Sequence, residues 1–184
     1  AAINSKNTKQ DSYYGERYSF LYQGNYNLNL DNSIVFGLER EDDSIGYNKN
    51  MTGMDYKDAY VTSKYFDFQK RFSENIFATF GSRFDNHSLA GNEDSHRLTL
   101  AYLFDNKLTK IKSSYGTGFR YPSLYEFYFY QSGSGYDGNE KAENSESFDI
   151  GIEKSFPEIG LKIDMSYFNI KYHDVLEGWQ ASGW

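Results

Sequence analysis

The sequence predicts an all-β chain whose antiparallel strands form the wall of a transmembrane β-barrel. Three observations carry this expectation. Apolar and polar residues alternate with period 2 through eight segments. The segments run about 11 residues, the length of a tilted strand crossing the apolar layer, where soluble strands average about 5 to 6. The connections between them fall into a short and a long class that take turns along the chain.

The first strand spans 17–27, with Tyr18, Phe20, Tyr22, Gly24 and Tyr26 on one face and Ser19, Leu21, Gln23 and Asn25 on the other. The second, 32–43, sets Ile34, Phe36 and Leu38 against Ser33, Gly37 and Glu39 and ends in the acidic stretch Glu41-Asp42-Asp43. The third, 59–70, breaks the rule at one point, because Lys64 shares a face with Phe66 and Phe68. The fourth, 75–86, places Ile76, Ala78, Phe80 and Phe84 opposite Thr79, Gly81, Arg83 and Asp85. In the fifth, 94–104, Leu98, Leu100, Tyr102 and Phe104 oppose Arg97, Thr99 and Ala101. The sixth, 109–120, carries Ile111, Tyr115 and Phe119 against Lys110, Lys112, Gly116, Gly118 and Arg120. The seventh, 146–156, sets Phe148, Ile150 and Ile152 against Asp149, Gly151 and Glu153; the eighth, 160–171, sets Leu161, Ile163, Met165 and Tyr167 against Lys162, Asp164 and Ser166.

Connections 27–31, 71–74, 105–108 and 157–159 are short, and 44–58, 86–93 and 121–145 are longer. Short periplasmic turns and longer outer loops have this pattern, with odd-numbered strands expected to run outward and even-numbered ones to return. Because an unpaired backbone group in hydrocarbon costs several kcal/mol, such strands cross only within a closed ring. Eight strands can close by themselves, and a soluble sandwich also alternates, so both remain alternatives. The inward glycines Gly37, Gly81, Gly116, Gly118 and Gly151 leave an eight-stranded lumen underfilled, which favours a wider barrel with other contents.

Composition agrees with a thin two-faced wall. Mean hydropathy is -0.75, yet 18 Tyr and 15 Phe are present, a combination suited to one apolar face and poor for a thick core. No apolar run reaches the length of a transmembrane helix. The 19 Lys+Arg against 26 Asp+Glu give a net charge of -7 with no basic block, which argues against nucleic acid as a partner. With 0 Cys, disulfides and thiolate metal sites are excluded. The opening AAINSKNTKQ has no signal-peptide core, so the chain is expected to be a mature form or to start partway through a longer one.

No catalytic constellation emerges: there is no Gly-x-Ser-x-Gly elbow and no glycine-rich phosphate loop, and an enzyme is not expected. His87, His96 and His173 lack ligand spacing, and the acidic Asp55/Asp58 and Glu41–Asp43 groups match no calcium loop, so neither metal nor cofactor is expected. The longest loop is the main candidate. Its Tyr125, Tyr128, Tyr130 and Tyr136 would contact a ligand, or Tyr125–Tyr130 would continue an interfacial aromatic girdle. Arg120, Glu126 and Glu153 are candidates for an internal ion-pair network at the loop base.

The stretch YGTGFRYPSLYEFYF at Tyr115–Phe129 and, after an insertion, GNEKAENSESFDIGIEKSF at Gly138–Phe156 resemble the barrel of TonB-dependent outer-membrane receptors, especially the cobalamin and siderophore branch. The matching positions are Arg120, Pro122, Leu124 and Glu126, then Gly138, Asn139, Glu143, Ser145, Gly151 and Glu153; Arg83 and Asp85 match the family's Gly-x-Arg-x-Asp strand end. Asp149 stands where a glutamate is usual and Ala142 replaces a proline. The resemblance implies that residues 1–184 are part of a 22-stranded barrel, about eight strands of it, without the plug domain and TonB box. It further implies an outer-membrane setting in contact with lipid and lipopolysaccharide. The partners it implies are a plug from the same receptor chain, the TonB complex acting through that plug, and a scarce iron-siderophore, haem or cobalamin cargo. The motif residues would be structural anchors.

Overall fold

The computed structural model describes residues 12–48, 53–104, 107–128 and 141–175. Its elements are β1 (Ser12–Asn27), β2 (Asn32–Asn48), β3 (Asp55–Arg71), β4 (Ile76–His87), β5 (Gly91–Leu103), β6 (Thr109–Arg120), α1 (Leu124–Tyr128), β7 (Glu143–Phe156) and β8 (Leu161–His173). All eight strands join one antiparallel sheet in the order β1-β2-β3-β4-β5-β6-β7-β8, each paired with its neighbour in sequence. Among the described residues β1 and β8 are not paired with one another, so the sheet is open. The self-closed eight-stranded barrel is not the arrangement adopted.

Register sorts the side chains as the alternation requires. One row across the sheet joins Tyr26, Ile34, Phe68, Phe80, Leu98, Tyr115 and Phe148. The opposite face carries the row Leu21, Glu39, Ser63, Asp85 and Glu93, along with Arg97, Gly116 and Ser147. The apolar face is uncovered: Phe20 is 70% exposed, Leu100 50% and Ile150 44%, while among the described residues Ala59, Phe127 and Ala142 are the buried hydrophobic ones. A soluble sandwich would bury these large side chains against a second sheet; here each stands on an apolar surface one layer thick. Polar residues on the other face meet one another instead, with Arg83 ion-paired to Glu39 and Asp85 and Lys112 to Asp164.

Several boundaries differ from the sequence expectation, for identifiable reasons. β1 begins at Ser12 because the adjacent rings Tyr13 and Tyr14 obscure the alternation, although Tyr13 pairs with Tyr47 in register. β2 runs through its acidic stretch to Asn48, since Asp43 is held by Arg17 at 2.5 Å and Asp42 by Arg40 at 2.7 Å. The connection between β4 and β5 closes tightly at Ser88–Ala90, so it belongs with the short connections and the strict alternation of loop lengths fails there. Strand direction is also the reverse of that expected. The regular short turns follow β1, β3, β5 and β7, so odd-numbered strands run toward the short-turn end and even-numbered strands run toward the end bearing the long loop.

The inward glycines have a local role as well. A Cβ on Gly37 would collide with the Tyr65 ring, whose hydroxyl donates to Gln23 Oε1 at 2.8 Å. A neighbouring strand's side chain thus occupies the space that the glycine leaves, without any content from the lumen.

Candidate functional site

The site is built where β6 leaves the sheet. Arg120, its last residue, lies opposite Glu143 in register. Its guanidinium donates to both oxygens of Glu143, Nε to Oε2 at 2.7 Å and Nη2 to Oε1 at 3.0 Å. It also donates to both oxygens of Glu126, Nη1 to Oε2 at 3.1 Å and Nη2 to Oε1 at 3.2 Å. The planar fork of arginine is suited to joining two carboxylates in this way.

Pro122 ends the strand and Ser123 starts the helix. Ser123 N donates to Glu126 Oε2 at 2.7 Å, and Glu126 N donates to Ser123 Oγ at 3.3 Å. This reciprocal capping box satisfies two amides at the start of α1. Burial opposes ionisation of Glu126, but the bonds from Arg120 and Ser123 outweigh it and hold the carboxyl below its ordinary pKa.

The capped turn directs α1 back over the polar face. Phe127 is 5% exposed, and its ring lies 5.9 Å from that of His87, which in turn lies 4.6 Å from Tyr121. Tyr125 approaches Tyr13 at 5.9 Å and Tyr47 at 6.3 Å, and the Lys57 ammonium sits 5.3 Å from the centre of the Tyr128 ring. Tyr125 and Tyr128 therefore stand on the polar side and not in a girdle on the apolar face. His87 Nδ1 accepts from Leu89 N at 3.0 Å and Ala90 N at 3.2 Å, which ties the tight β4–β5 turn into the same cluster. Burial first, then the charges of Asp85 and Glu93, push the Tyr121 phenol up to about 12.

Beneath these rings lies a cleft of about 670 Å³ whose lining includes Tyr13, Arg17, Asp43, His87, Tyr121 and Tyr125. Rings above and an ion pair on one wall can hold a large ligand with both apolar and polar parts. Among the described residues no three His, Asp or Glu side chains gather as metal ligands.

The remaining sequence candidates are placed as follows. Arg83 and Asp85 pair at 2.9 Å on the polar face, and Arg83 Nη2 also donates to Ser63 Oγ at 2.7 Å. Leu124 and Pro122 line the cleft. Gly151 is buried on the polar face, where an added Cβ would come 3.0 Å from Met165 O. Glu153 is not part of the Arg120 network: it pairs with Lys162 at 3.0 Å and Lys110 at 3.5 Å near the short-turn end. Lys110 is ten positions before Arg120 on β6, about 33 Å along an extended strand, so Glu143 is the third member of the clamp. Tyr130, Tyr136, Gly138 and Asn139 lie outside the described residues. Sequence reasoning missed Ser123, although Ser123-Leu124-Tyr125-Glu126 carries the capping-box signal, and missed His87 as a packing centre, for which no local signal exists.

The family model described as TonB dependent receptor-like, beta-barrel matches residues 2–178. The chain belongs to the TonB-dependent receptor family. It is 31% identical over 137 residues to the vitamin B12 transporter BtuB of Vibrio vulnificus, a match covering 74% of this chain and 20% of that protein. The chain thus spans about a fifth of the length of that relative. Its fold is that of the ferric enterobactin receptor PfeA of Pseudomonas aeruginosa, with a TM-score of 0.76 at 18% identity over 87% of this chain and 27% of that one. The siderophore receptor PirA of the same organism gives a TM-score of 0.70 at 22% identity, covering 87% and 32% of the two chains. The open eight-stranded sheet is thus a part of a TonB-dependent receptor barrel.

Proposed function

We propose that the chain forms part of the barrel wall of an outer-membrane receptor that binds a scarce nutrient chelate and imports it with energy from the TonB complex. The family match over nearly the whole chain carries this reading, and the two faces of the sheet support it. The apolar face meets outer-membrane lipid and lipopolysaccharide. The polar face turns toward a plug domain supplied elsewhere in the same receptor chain. The plug transmits the pull of TonB. The long-loop end captures cargo, an iron-siderophore, haem or cobalamin, in the cleft under Tyr125 and Tyr121. Binding and gated passage are the whole mechanism, and no chemical step is assigned to any residue. Arg83, Asp85, Arg120, Glu126 and Glu143 act as anchors of wall and loop, while Tyr125, Tyr128, Tyr130 and Tyr136 act as contact residues.

The test uses the intact receptor that contains this chain. Binding is measured by fluorescence quenching against cobalamin, haem and a panel of ferric siderophores, and uptake is followed in cells with and without TonB. One cargo class should bind, its uptake should require TonB, and Tyr125→Ala should weaken binding about tenfold, as loss of an aromatic anchor does. Binding of no cargo in the panel, or uptake unaffected by loss of TonB, would overturn the proposal.

A further inference from the structure

Lys64 breaks the alternation of β3, and the structure makes that break informative. It lies on the apolar face in the row Tyr22, Leu38, Lys64, Phe84 and Asp94. Below it on the same face are Phe66 and Phe68; above it are Thr62, Tyr60 and Asp58, so it is the first polar residue met on leaving the apolar band. A lysine on the lipid face is costly at the bilayer midplane and tolerated near an interface, which fits this boundary position.

The Lys64 ammonium sits 5.7 Å from the centre of the Phe84 ring, and among the described residues no carboxylate pairs with it. It opens onto a groove of about 510 Å³ whose lining includes Leu38, Thr62, Phe84, Asn92 and Asp94. Asp94 is engaged elsewhere, its Oδ2 lying 2.6 Å from His96 Nε2. Asn92 has its side-chain oxygen taken by Asn86, which leaves its amide protons to donate. The groove thus combines an unpaired cation, amide and hydroxyl donors, and an apolar floor continuous with the Phe36 and Phe66 band.

We propose that this groove holds the phosphate-bearing headgroup of an outer-leaflet lipid, with Lys64 contacting the phosphate and the acyl chains lying along Leu38, Phe36 and Phe66. An ammonium at this depth both meets the phosphate and lets its own methylene stem rest on apolar surface. The proposal rests on the outer-membrane reading above.

The test reconstitutes the intact receptor in phosphatidylcholine nanodiscs containing a minor fraction of lipid A, and native mass spectrometry measures the lipid retained. Wild-type protein should retain lipid A about fivefold more than Lys64→Gln, the effect of one ammonium at a charged surface. Lys64→Arg should restore retention, and dephosphorylated lipid A should show no difference between wild type and Lys64→Gln. Heat-modifiable gel migration confirms that both variants are folded. Equal retention by folded wild type and Lys64→Gln would overturn this proposal alone. Failure of wild type and variant alike to float with vesicles would instead overturn the outer-membrane reading on which it rests.

Discussion

Replacing Arg120 by Ala should release α1 from the sheet. The helix has five residues, and a backbone bond from Phe127 N to Ser123 O, at 3.0 Å, ties it to the residue before it. Helix nucleation is unfavourable, with a constant of about 10⁻³, so so short a helix persists only through its cap and its contacts. The capping box contributes about 1 kcal/mol. A buried charge-assisted bond would contribute about 1.5–3 kcal/mol, but the Arg120 side chain is 50% exposed, which reduces each link to Glu126 or Glu143 to about 1 kcal/mol. Arg120→Ala removes both links and leaves two carboxylates near one another, a loss of about 1–2 kcal/mol, or about 5- to 30-fold. Hydrogen exchange of the Phe127 amide in the intact receptor reads this directly. The Glu126 carboxyl is held below its ordinary pKa in the folded state. Its stabilisation is therefore present above about pH 4.3, the unfolded value, and is lost as pH falls through the lower folded value. Exchange corrected for its intrinsic pH dependence should rise over that acidic window in wild type and stay flat in Glu126→Gln. Unchanged Phe127 protection in Arg120→Ala, at neutral pH, would refute the clamp.

Other perturbations test separate parts of the structure. Phe127→Ala removes the buried ring beside His87 and should cost about 3–5 kcal/mol of local stability, seen as loss of protection through both α1 and the Ser88–Ala90 turn; loss confined to α1 would separate the two. Gly37→Val should displace Tyr65, break its bond to Gln23 and destabilise the wall by about 1–3 kcal/mol in urea unfolding, whereas Tyr65→Ala combined with Gly37→Val should recover part of that loss. The ultraviolet difference titration of wild type against Tyr121→Phe should show a phenol ionising near pH 12; a midpoint near the ordinary value of about 10 would mean that Tyr121 is not buried as described.

Much of the wall was readable because a period of two leaves a signature at every position. The expected span 109–120 is β6 itself, and 75–86 differs from β4 by one residue at each end. The misreadings fall where a tertiary partner changes the local meaning of a residue. Glu41, Asp42 and Asp43 resemble the end of a strand, yet Arg17 and Arg40 keep them within one. Glu153 and Glu143 are equally acidic on paper, and the β6–β7 register determines which of them faces Arg120. The inward turn of Tyr125 depends on Pro122, Ser123 and Glu126 acting together, and its partners Tyr13 and Tyr47 come from the distant β1 and β2. No sequence window contains that encounter.

Because Arg120 and Glu143 face one another across β6 and β7, the chain leaving the wall at Tyr121 and the chain returning at Ala142 are fastened at a common root. Whatever length of polypeptide lies between them, the staves on either side stay in register. Each doubling of such a loop adds only about 0.6 kcal/mol of closure entropy. That segment can therefore be lengthened, shortened or replaced without rebuilding the sheet beneath it.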